Sequence, residues 1–72
     1  MKLIIDLGGS KVEELHPSEA NARTHLSIVL NSHKSRGHIV AKRQRHNQEK
    51  GVYGSRFVVQ TPQGWLQYWL EH

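Results

Sequence analysis

A single stretch of this chain carries a helical repeat, and that limits its fold more than any other feature. Ala22, Leu26, Val29, Leu30 and His33 recur at spacings of four, three, one and three, so at about 100° per residue they fall on one stripe. A lone amphipathic helix cannot bury its stripe by itself. Here the partner has to be a sheet, because after Gly37 the apolar period changes from helical to two. The expectation is an α+β domain over residues 1–72, a small antiparallel sheet of three or four strands packed on one helix in the order β-α-β-β-β.

The helix has clear ends. Pro17 suits a first helical position because it has no N–H to lose, and Ser18 can cap a helix that begins one residue later. Glu19 then meets the positive end of the helix dipole, while Lys34 and Arg36 suit the C-terminal end and Gly37 the residue beyond it. Ile28 falls off the stripe and is expected to be exposed or to meet a second surface.

Lys2 to Leu7 reads as a strand ended by Gly8-Gly9-Ser10, and Lys11 to His16 fits a return strand poorly and a short turn no worse, so it stays unassigned. His38 to Lys42 reads as a strand running into Arg43-Gln44-Arg45-His46, and Asn47 to Gly54 as a polar loop. Ser55 to Thr61 places Phe57 and Val59 on one face, with Arg56, Val58 and Gln60 on the other. Thr61-Pro62-Gln63-Gly64 is a turn, and Trp65 to Leu70 returns as a hairpin with Trp65, Gln67 and Trp69 opposite Leu66, Tyr68 and Leu70. Leu70-Glu71-His72 reads like the start of a polyhistidine tag.

Charge is where the chain points to a function. Residues 1–33 carry three basic and four acidic groups, a net of −1, whereas residues 34–56 carry seven basic groups against Glu49 alone, a net of +6. A basic strand-loop-strand arm built from Lys42, Arg43, Arg45, Lys50 and Arg56 can neutralise phosphates and release their counterions. Lys34 and Arg36 extend the basic set, and Gln44, His46, Asn47 and Gln48 add hydrogen-bonding groups suited to bases or sugars. The reading is a non-enzymatic module for DNA or RNA. The bland alternative is a solvated hairpin whose charges keep an edge strand from aggregating.

The run of helix, glycine, strand, basic loop and strand over residues 24–60 resembles the second half of a winged helix-turn-helix domain. The resemblance implies a recognition helix over Thr24 to Arg36 and a wing over Ile39 to Val59. That family places further helices before the recognition helix, whereas the region before Pro17 reads as strand and loop. A winged-helix-like arrangement is therefore the alternative fold.

Other chemistry is less supported. His25 and His33 point about 80° apart on the helix, and His33 and His38 can approach each other without a third ligand at suitable spacing. With no cysteine and no H-E-x-x-H pattern, neither a metal site nor a cofactor is expected, and His33 reads as a hydrogen-bonded core histidine. A small ribonuclease can be drawn with His46 as base and Arg43, Arg45 and Lys50 on the phosphate, although the same residues describe any RNA-binding loop. Glu13 and Glu14, being adjacent, point apart. Gly8-Gly9-Ser10-Lys11 lacks the spacing of a phosphate loop.

Apolar residues are only 36% of the chain, so its five aromatic residues carry much of the core, and at least one of Trp65 and Trp69 is expected to be buried. A Trp65/Trp69 face left outward would suit a homodimer or another protein partner. No apolar run approaches a membrane span or a signal-peptide core, the longest being Leu3-Ile4-Ile5, so the expected location is cytoplasmic.

Overall fold

A computed structural model describes residues 1–43 and 52–72. The elements are β1 (Lys2–Asp6), β2 (Lys11–Leu15), α1 (Glu19–Ser35), β3 (Ile39–Arg43), β4 (Val52–Thr61) and β5 (Gly64–Glu71). They form one helix on one face of a five-stranded antiparallel sheet with strand order β2-β1-β5-β4-β3. The α+β class is as expected. The order is not, because two strands rather than one precede the helix and the sheet has five strands instead of three or four. The winged-helix alternative also fails, since the described residues hold a single helix and the β3–β4 pair is part of the sheet rather than a free wing.

The missing strand is Lys11–Leu15, which sequence alone left unassigned. A tight turn makes it possible: Asp6 Oδ1 accepts from the Gly8 and Gly9 amides at 3.0 and 3.4 Å, and both glycines take positive φ, where a side chain would be strained. Leu15 remains 80% exposed and Val12 44%, as befits an edge strand with one neighbour.

The helix begins and ends where its signals lie. Ser18 caps it, its hydroxyl accepting from the Asn21 amide at 3.1 Å, and Gly37 follows Arg36 with φ of 80°. Ala22, Leu26, Leu30 and His33 are buried on the sheet, Val29 is partly so, and Ile28 is exposed.

Sheet register decides what α1 covers. Leu3, Val59, Tyr68 and Leu70 point to the helix, with Met1, Ile5, Val40, Phe57 and Leu66 around them. Leu70 is thus a core residue in the body of β5. The other sheet face carries no helix among the described residues. It presents Lys2, Ile4, Asp6, Lys11, Ile39, Arg43, Arg56, Val58, Trp65, Gln67 and Trp69. No described helix is long and apolar enough to cross a membrane.

Candidate functional site

The described basic residues do not form one patch. The β3–β4 register sets Arg43 directly opposite Arg56 on the helix-free face. Lys42, one residue earlier, points to the other face and lines a pocket of about 290 Å³ between α1 and the sheet, together with Arg23, Leu26, Ser27 and Phe57. Lys34 and Arg36 are exposed at the C-terminal end of α1. Gln44, Arg45, His46, Asn47, Gln48 and Lys50 lie outside the described residues.

Arg56 is held in place. Its guanidinium carbon lies 4.0 Å from the centroid of the Trp69 ring, within cation–π range, and its Nη1 donates to Gln67 Oε1 at 3.2 Å. The Lys11 ammonium lies 5.6 Å from the centroid of the same ring, and Trp69 Nε1 donates to Glu71 Oε2 at 2.8 Å. Trp69 is only 2% exposed although the helix is on the other side of the sheet, and its cross-strand neighbour Ile4 is equally buried. Trp65, on the same face, is 60% exposed. The two tryptophans therefore share a face, as their alternation requires, yet differ completely in environment.

On the helix side, His33 joins two partners. Its Nδ1 is 2.8 Å from His38 Nδ1 and its Nε2 is 2.8 Å from the Tyr68 hydroxyl. It is a hydrogen-bonded core histidine, as its place on the apolar stripe suggests. Burial chiefly, then the fields of His38 and Arg36, holds its pKa below the ordinary imidazole value. Burial and the nearby Glu14 carboxylate push the Tyr68 hydroxyl up, against a smaller opposing effect of Arg36.

A second cluster escaped the sequence reading. Glu14 Oε1 lies 3.2 Å from His25 Nε2 and 3.5 Å from His16 Nε2, with the two imidazole rings 5.2 Å apart. The signal was present: once Lys11–Leu15 is a strand, Glu14 and His16 alternate onto the helix side, where His25 flanks the apolar stripe. Glu13 points the other way and pairs with Lys2 at 3.8 Å, so the adjacent carboxylates do diverge.

Comparison with protein-family models, with curated proteins and with solved structures finds no match to this chain. The functional reading rests on the side chains alone.

Proposed function

We propose that this is a cytoplasmic, non-enzymatic nucleic-acid-binding module that grips the phosphate backbone with its helix-free sheet face and the basic segment continuing from it. The observation that supports this reading is the β3–β4 register, which sets Arg43 and Arg56 side by side on that face. From Arg43 the chain runs on in sequence to Gln44, Arg45 and His46, and Lys50 precedes β4, so these residues are joined in sequence to the face at this edge. Guanidinium forks match phosphate oxygens, and Arg56, stacked on Trp69 and bonded to Gln67, loses little further freedom on binding. Trp65 offers an exposed ring on the same face for base stacking.

Binding to duplex DNA, single-stranded DNA and RNA is expected to weaken steeply with salt. Arg43→Ala should reduce the slope of log K against log salt by about one, because one phosphate contact is lost. An unchanged slope would mean that Arg43 is a bystander and the face is not the contact.

A second reading has an observation of its own. Trp65 and Ile39, 60% and 63% exposed, flank Gln60 on this face and make it partly apolar, which suits a homodimer seam. Sedimentation at two concentrations separates the readings. A mass that rises with concentration in the parent but not in Trp65→Ala assigns the face to self-association, and a monomer at both leaves it to nucleic acid.

A further inference from the structure

We propose that Glu14, His16 and His25 form a binding site for one divalent transition-metal ion of the zinc class, at the sheet edge opposite the Arg43–Arg56 pair. The three residues come from separate places: Glu14 from β2, His16 from the residue beyond its end, and His25 from α1. Their donor atoms all lie within 4.8 Å of one another. Zinc held tetrahedrally at about 2.0–2.1 Å separates adjacent ligand atoms by roughly 3.3–3.4 Å. Two of the three separations, 3.2 Å from Glu14 Oε1 to His25 Nε2 and 3.5 Å to His16 Nε2, bracket that value.

Hydrogen bonding within the cluster does not account for it. Glu14 Oε1 and His16 Nε2 are both closed off from solvent, and neither has a hydrogen bond of acceptable geometry despite their closeness. Buried polar atoms left without a hydrogen bond call for a further partner, and an ion seated between them is one that satisfies all three groups at once. The His16 backbone is fixed by its amide, which donates to the Met1 carbonyl at 2.9 Å, so this ligand is positioned before any ion arrives. Two imidazoles and one carboxylate favour zinc, and by the same donor chemistry nickel or copper, over magnesium or calcium, which take oxygen ligands. Three protein ligands leave a fourth position for water or an outside donor.

The ion would tie the exposed edge strand β2 to the helix. A chain of 72 residues without cysteine has no disulfide to do this, and an ion that binds only the folded state shifts the folding equilibrium toward it. The site shares no residue with the proposed nucleic-acid face, so each can fail without the other.

The test uses the full chain, stripped with EDTA and titrated with zinc chloride by calorimetry and by thermal melting. Saturable one-to-one binding and a raised melting temperature are expected. His16→Ala and His25→Ala should abolish both, Glu14→Gln should weaken affinity at least tenfold, and His38→Ala should retain both. Melting without metal reports whether each variant folds. In the parent, zinc should shift the imidazole proton resonances of His16 and His25 while leaving those of His33 and His38 in place. Absence of saturable binding overturns the proposal. So does binding that survives His16→Ala and His25→Ala, or zinc shifts centred on His33 and His38.

Discussion

Trp69→Ala is expected to unfold the domain, whereas Trp65→Ala should leave it folded with a melting temperature close to the parent's. The two residues are two positions apart on one strand and share a sheet face, so any difference comes from surroundings rather than chemistry. Trp69 is 2% exposed, stacked under Arg56, hydrogen-bonded to Glu71 and paired across the sheet with the buried Ile4. Truncating a buried tryptophan costs about 3–5 kcal/mol through lost transfer energy and the cavity left behind. A domain of this length holds little more than that. The loss also removes the ring on which Arg56 rests and uncovers Ile4. Trp65 is 60% exposed, and its removal should fall within about 0.5 kcal/mol. Circular dichroism melts of the two variants decide the matter. A folded Trp69→Ala would mean that the helix-free face contributes no stability and that the core lies on the α1 side alone. Trp69→Phe should fall between, since it keeps a ring beneath the guanidinium but loses the N–H to Glu71.

Where local chemistry decides the outcome, the sequence could be read directly. Ser18, Gly37 and the Ala22–His33 stripe mark α1, because capping and amphipathic spacing are properties of a few neighbouring residues. Thr61 to Gly64 closes the β4–β5 hairpin, with the Thr61 hydroxyl donating to the Gly64 carbonyl and accepting from the Gln63 amide. The alternation of Phe57 and Val59, and of Leu66, Tyr68 and Leu70, likewise follows from strand geometry. What could not be read was long-range. Lys-Val-Glu-Glu-Leu has little β signal of its own and becomes a strand because β1 offers a free edge. That β1 pairs with β5, more than sixty residues away, has no local mark either. The Glu14–His16–His25 cluster was hidden for the same reason, since only the β2 pairing turns Glu14 toward His25. The basic residues show the limit most plainly. Their charge was evident, yet adjacent Lys42 and Arg43 are sent to opposite faces by the pleat.

Acidification is also expected to lower stability, and His33 is a group through which it acts. His33 is 7% exposed, with one ring nitrogen on His38 and the other on the Tyr68 hydroxyl. The Nδ1–Nδ1 contact needs one donor and one acceptor, so it is lost once both imidazoles are protonated. Burial, His38 and Arg36, in that order, keep the folded-state pKa of His33 below its ordinary value of about 6.5. Between the lowered pKa and the ordinary one, the unfolded chain therefore binds more protons than the folded chain. Stability rises with pH wherever that holds. The contribution is fully present above about pH 6.5 and is lost as pH falls toward the folded-state pKa. Melting temperature should thus drop as pH is lowered from 7.5 to 5. The His33 share is read as the difference between the parent's profile and that of His33→Gln, which keeps a polar group near Tyr68 but cannot titrate. His33→Ala should be less stable at every pH, because an orphaned buried hydroxyl on Tyr68 alone costs about 1–3 kcal/mol. The expected outcome is a flatter profile for His33→Gln, meeting the parent's at low pH. Parallel profiles across the whole range would place the acid sensitivity elsewhere and leave His33 a structural group only.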